Sequence, residues 1–178
     1  MDYAIALYFD KATADYFCNI INAIARSGGN NYMVDTKIPP HITISFFCAE
    51  KIEQIEKIKN ELDNNLADFT AGDVIWTSLG IFVPAVIFAA PVLSEYLLNA
   101  CINANKIVEP FSEVGDYGHY LPFNWVPHTA LAVKLDQAGL KTAFDIASQQ
   151  FNPISGRINR LVLAECNPYK EIAIWDLK

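Results

Sequence analysis

The chain has 178 residues, enough for one sizeable core or two small lobes that share a sheet system. Hydrophobic residues make up 52% and charged ones 19%, a balance that excludes intrinsic disorder. Thirteen basic against twenty acidic residues leave a net charge of -7, the wrong sign for holding long nucleic acid by counterion release.

A nucleotide partner would therefore be small, or a strand end, with Arg26, Arg157 and Arg160 as candidates for one local phosphate contact. Cys18, Cys48, Cys101 and Cys166 are scattered and form no CxxC pair, so free thiols are expected and a bound metal or other cofactor is not. The start at Met1 lacks a basic stretch, and the apolar run over 81–93 contains Pro84 and Pro91. That run is also shorter than the roughly 20 residues a membrane helix needs. A soluble, cytoplasmic monomer without a membrane partner is expected.

Tyr3 to Phe9 reads as a central strand. Asp10 offers a helix cap, and Ala14, Phe17, Cys18, Ile21, Ile24 and Ala25 recur at helical spacing until Gly28-Gly29. Asn30 to Pro40 is polar and ends in two prolines, which predicts a loop delivering His41 to the mouth of the next strand. Alternation along that strand predicts His41, Thr43, Ser45 and Phe47 on one face, with Thr43 roughly 6.6 Å beyond His41. Ser45 lies deeper and suits packing rather than binding.

Lys51 to Leu66 has the pattern of an amphipathic helix with a solvated charged face. Two strands follow, Asp73 to Val83 and Ala85 to Ala90, then a helix from Leu93 to about Val108. The segment 111–127 is long, aromatic and rich in turn residues, and is expected to wall a pocket beside His128. Tyr120, Phe123 and Trp125 either pack beneath this loop or stack a base. His119 reads as a hydrogen-bonded structural group. His128 to Val133 is a strand, Gln137 to Phe151 a helix, and Arg157 to Ala164 with Glu171 to Leu177 a hairpin. Strand, helix, motif strand and helix thus recur in two approximate halves, 1–83 and 84–178, with exchange of elements between them left open.

The main functional signal is the pair Pro40-His41-Ile42-Thr43 and Pro127-His128-Thr129-Ala130. Each proline fixes the backbone before a histidine that opens a run of strand formers. A His-x-Thr pair on one strand face places a base or acid that titrates near neutral pH beside a hydroxyl able to donate to a phosphoryl oxygen. Two such strands across a cleft would flank a phosphodiester without a metal.

On these residues the chain resembles the 2H phosphoesterase superfamily, whose name refers to two His-x-(Ser/Thr) motifs. The resemblance implies an α+β, bilobal fold: two pseudo-symmetric lobes of antiparallel sheet with outer helices around a central cleft. It further implies hydrolysis of 2',3'-cyclic phosphates of RNA ends or small nucleotides, with His41 and His128 as acid and base. Thr43 becomes the phosphate donor; Tyr120 and Trp125 are candidate substrate contacts on the loop's own aromatic composition. The family also contains 2'-5' RNA ligases and enzymes acting on cyclic phosphates of ADP-ribose.

The sequence departs from the pattern at Ala130, where the second hydroxyl would stand. Thr129 contacts substrate only if a bulge turns it, because one step along a strand reverses the face. Three rival readings remain open: a binding module without turnover, end joining at a 2'-5' bond, and metal-dependent hydrolysis. Asp35 and Glu50, the carboxylates nearest the histidines in sequence, lack ligand spacing for the last.

Overall fold

The computed structural model describes residues 1–28 and 30–178. Strand β1 (Asp2–Phe9) is apolar on both faces. Tyr3, Ile5, Leu7 and Phe9 enter the main core, whereas Ala6 and Tyr8 join Val162 and Ala164 on the opposite face. The carboxylate of Asp10 accepts from the Thr13 N–H at 3.0 Å and caps α1 (Lys11–Arg26), whose buried stripe is Phe17, Ile20, Ile21 and Ile24. The helix closes at Ser27, followed by Gly28 at φ 79°, a left-handed conformation in which a Cβ would be strained. Gly29, the second residue of the expected stop, lies outside the described residues.

The segment read as a loop holds one turn of helix, α2 (Tyr32–Asp35), seated by buried Met33 and too short to carry a readable period. Then come β2 (His41–Cys48), α3 (Ile52–Asn64), β3 (Gly72–Phe82), β4 (Val86–Pro91) and α4 (Glu95–Val108). The two-residue β5 (Glu113–Val114) interrupts the long loop before β6 (Thr129–Ala132), α5 (Gln137–Gln150), β7 (Ile154–Cys166) and β8 (Tyr169–Asp176). Ser94 and Asp136 cap α4 and α5 by accepting from the Leu97 and Gly139 N–H groups at 3.3 and 2.7 Å.

All pairings are antiparallel, in the order β5-β2-β1-β7-β3-β4-β6, with β8 also on β7. The long β7 joins two lobes: its residues 158–165 pair with β1, and its residues 154–158 with β3. The first lobe therefore holds β5, β2, β1, β8 and the end of β7; the second holds β3, β4, β6 and the start of β7. Strands from both approximate halves of the chain complete each lobe: β5, β8 and the end of β7 join β1 and β2, and β3 joins β4, β6 and the start of β7. Helices cross over too: α1 packs on α5 and β6, and α4 packs with α3 on β2. The sheet stays open, yet curls until β2 and β6, near its opposite ends, approach one another. No described helix is long and apolar enough to cross a membrane, and the four cysteines are free thiols.

Candidate active site

A cavity of about 710 Å³ lies where β2 and β6 converge, and His41, Thr43, His128 and Ala130 all line it. Each motif strand contains a bulge at the same place. In β2, Thr43 pairs with Ala6 and Ser45 with Ile5, so Ile44 is the extra residue. In β6, Ala130 pairs with Phe88 and Ala132 with Ile87, so Leu131 is the extra residue. In both strands the bulge falls three residues after the histidine.

The first bulge corrects the expected face of β2. His41 and Thr43 face the cavity, but beyond Ile44 the parity reverses. Ser45, fully buried, donates to Asn105 Oδ1 at 3.3 Å, and Phe47 stacks on Tyr3 in the main core at 5.8 Å. The second bulge comes after Ala130, too late to turn Thr129. Thr129 is fully buried and its hydroxyl accepts from the Trp76 indole at 3.0 Å, so it does not reach the cavity and the expected substrate contact is withdrawn. At the second motif the site presents the methyl group of Ala130 instead of a hydroxyl.

The imidazoles are held in the same way. Nδ1 of His41 lies 2.7 Å from the Pro39 carbonyl oxygen, and Nδ1 of His128 lies 2.9 Å from that of Val126. A carbonyl only accepts, so each Nδ1 carries a proton and, in the neutral ring, each Nε2 is left with a lone pair. The prolines at 40 and 127 set the chain direction that folds each ring back on the carbonyl two residues before it. Burial pushes both imidazoles below their ordinary value near 6.5. For His41 the Pro39 bond opposes the fall. For His128 the Val126 bond opposes it most, positive charge on His41 adds to it, and Asp116 opposes it.

Aromatic rings fix the positions further. The ring centroid of His128 lies 4.9 Å from that of Phe82 and 5.5 Å from that of Phe88, both edge-on, and 6.1 Å from that of Tyr120. His41 faces Tyr8 at 6.0 Å. The Tyr8 hydroxyl is engaged by the Tyr169 hydroxyl and by Glu171 at 3.1 Å.

The loop over 111–127 forms one wall. Tyr120 lines the cavity with its ring stacked on Phe46 at 5.6 Å, and burial pushes its phenol up to about 12, so it stays a neutral donor at physiological pH. Trp125 also lines the cavity; it is buried, and its indole donates to the Thr43 carbonyl at 3.0 Å, which braces β2. Phe123 is 85% exposed and borders a separate hollow behind the loop. His119, expected as a hydrogen-bonded structural group, stands exposed at the cavity rim, 3.7 Å from Asp116. None of the three arginines is among the lining residues of the cavity; Arg157 pairs with Asp73 at 2.9 Å and Arg160 lies over the Tyr8 ring. Among the described residues no group of three His, Cys, Asp or Glu side chains is placed to share a metal ion.

Sequence reasoning did not single out Phe82, Phe88, Asp116 or Asn105. Only Asn105 left a signal, an amide inside the apolar stripe of α4 formed by Leu97, Cys101, Ala104 and Val108.

The whole chain shares its fold with solved structures of low sequence identity. TT0787 of Thermus thermophilus matches with a TM-score of 0.65 at 16% identity, over 99% of this chain and 98% of the other. Escherichia coli LigT, solved with 3'-AMP, matches with a TM-score of 0.61 at 11% identity, over 99% and 97%. Usb1 of Kluyveromyces marxianus matches with a TM-score of 0.54 at 10% identity, over 96% and 97%. No curated protein sequence matches. The family model described as the 2'-5' RNA ligase superfamily covers residues 15–167, which include both motif strands and the wall between them. With the paired histidines and the twin bulges in that span, the chain belongs to the 2'-5' RNA ligase superfamily of 2H phosphoesterases.

Proposed function

We propose that the protein is a metal-independent phosphoesterase that opens 2',3'-cyclic phosphates of small nucleotides or RNA ends. The observation that carries this reading is that two imidazoles, each anchored through Nδ1, line one cavity together with the Thr43 hydroxyl. Asp116 lines the cavity and favours the charged form of His128, whereas among the described residues no carboxylate is seen to shift His41. His41 is accordingly assigned as base and His128 as acid. His41 Nε2 takes a proton from water as the water oxygen bonds to phosphorus. His128 Nε2 gives its proton to the ribose oxygen as the ring P–O bond breaks. One water is consumed, and solvent exchange returns both rings to their starting states. Thr43 donates to a phosphoryl oxygen as negative charge builds on it. The LigT structure containing 3'-AMP supports a small nucleotide as ligand.

The test is hydrolysis of uridine 2',3'-cyclic phosphate, expected to survive EDTA and to fall by about 10³-fold or more in His41→Ala and in His128→Ala. Activity lost with EDTA, or retained in either variant, would sink the mechanism. Ala130 favours a second reading, a binding module for phosphorylated nucleotide ends. Tight binding of uridine 2'-phosphate without turnover of the cyclic form would select it.

A further inference from the structure

We propose that this cavity selects a substrate carrying one negative charge on an aromatic or apolar body, and turns away nucleotides that bear a second phosphate. This deepens the phosphoesterase reading and rests on it, and within that reading it favours a nucleoside 2',3'-cyclic phosphate over an RNA end, whose chain phosphate adds a second charge.

The lining contains no lysine or arginine among the described residues, and its one fixed charge is the carboxylate of Asp116. Apart from the histidines, Thr43, Asn124 and the tyrosines, the walls are aliphatic or aromatic, with Met33, Ile38, Ile81, Phe82, Val86 and Val133 prominent. The cations placed against nearby rings are not part of the lining: Lys134 sits over the Tyr32 ring at 4.0 Å, and Arg160 over the Tyr8 ring at 5.7 Å. The poised histidine pair holds one proton beyond neutrality, which balances the single charge of a cyclic phosphodiester. A further phosphate would lose hydration against apolar walls, find no lysine or arginine in the lining and face Asp116. An uncharged base meets the opposite treatment. Phe82, 37% exposed and stacked on Phe88 at 4.2 Å, offers it a ring face beside His128.

The experiment compares kcat/KM for uridine 2',3'-cyclic phosphate and for its 5'-phosphorylated counterpart, at low salt and at 0.5 M NaCl, for the whole protein and for Asp116→Asn. The expected result is a preference of about tenfold or more for the 5'-hydroxyl form, narrowing several-fold at high salt and in Asp116→Asn. Asparagine keeps the shape and tolerates the left-handed backbone at φ 45°. Comparable turnover of both compounds would overturn charge selection and leave the phosphoesterase reading standing. A preference that ignores both salt and Asp116→Asn would be steric and would also overturn it. Turnover of neither compound would remove the phosphoesterase reading, and this inference with it.

Discussion

At position 130 a methyl group occupies the place that the Thr43 hydroxyl occupies in the first motif, on the cavity side of its strand and one residue before the bulge. Loss of one donor to developing charge typically costs about 10²–10³ in rate where water is excluded, and less in an open cavity. Ala130→Thr should therefore raise kcat on uridine 2',3'-cyclic phosphate by about tenfold to a hundredfold with little change in KM. An unchanged kcat would mean that Thr43 alone carries the phosphoryl contact. The imidazoles make a second prediction. Activity needs His41 neutral, so it rises with pH through one titration, and His128 protonated, so it falls with pH through the next. Because burial lowers both values, the kcat/KM profile should peak below about 6.5, the ordinary imidazole value. Asp116→Asn removes an influence that raises His128, so its alkaline limb should move to lower pH while the acid limb stays; a peak above pH 7 would contradict the burial argument. His41, Thr43 and His128 were legible because a proline, a histidine and strand parity fix their placement locally. Thr129 and Ser45 depended on which residue was the bulge, and a bulge leaves no mark on composition or period.

The loop over 111–127 owes its shape to a few side chains on neighbouring elements. Asn105, buried on α4, donates through Nδ2 to the carbonyls of Ile44 at 3.1 Å, Cys101 at 2.9 Å and Tyr120 at 3.1 Å. One amide thus ties the bulge of β2 to the loop that presents Tyr120 and His119. Gln54 at the start of α3 adds a bond to the Phe111 carbonyl at 2.6 Å, and Trp125 one to Thr43. The loop needs these ties because Asp116, Tyr117 and Phe123 all have positive φ without being glycine, a cost that surrounding contacts must offset. Asn105→Leu matches the volume but leaves buried carbonyls without a donor, which should cost about 2–4 kcal/mol in urea unfolding and weaken activity through a displaced Tyr120. A loss below about 0.5 kcal/mol would show that water replaces the amide. Turn residues and length marked this segment as a wall in the sequence, and the position beside His128 followed from the chain order. What anchors it did not follow, because Asn105 and Ile44 meet only after α4 has crossed onto β2.

At the scale of the molecule, strand and helix identities could be read from periodicity, but the assignment of elements to lobes could not. Alternation reports which residues of a strand are buried, not which helix buries them, so the crossing of α1 to β6 and of α4 to β2 left no trace in the pattern. The crossing of α1 depends on a close approach at Gly156, where β7 pairs with β3 at the junction between lobes. A Cβ at Gly156 would overlap Thr13 Oγ1 and Cγ2 and lie 3.0 Å from Thr13 Cβ. Thr13 is buried in the first turn of α1, and its hydroxyl accepts from the Arg157 N–H at 3.2 Å. The same turn is fixed by the Asp10 N–H donating to the Arg157 carbonyl at 2.9 Å, so α1 can retreat only by breaking the link between its cap and β7. Gly156→Ala should therefore destabilise the protein by about 1–3 kcal/mol, although alanine is otherwise the better residue in a strand. Thr13→Ala removes the two atoms that overlap most, and the double variant should lose clearly less than the sum of the single losses. Additive losses, or a neutral Gly156→Ala, would mean that something other than this contact sets where α1 crosses between the lobes.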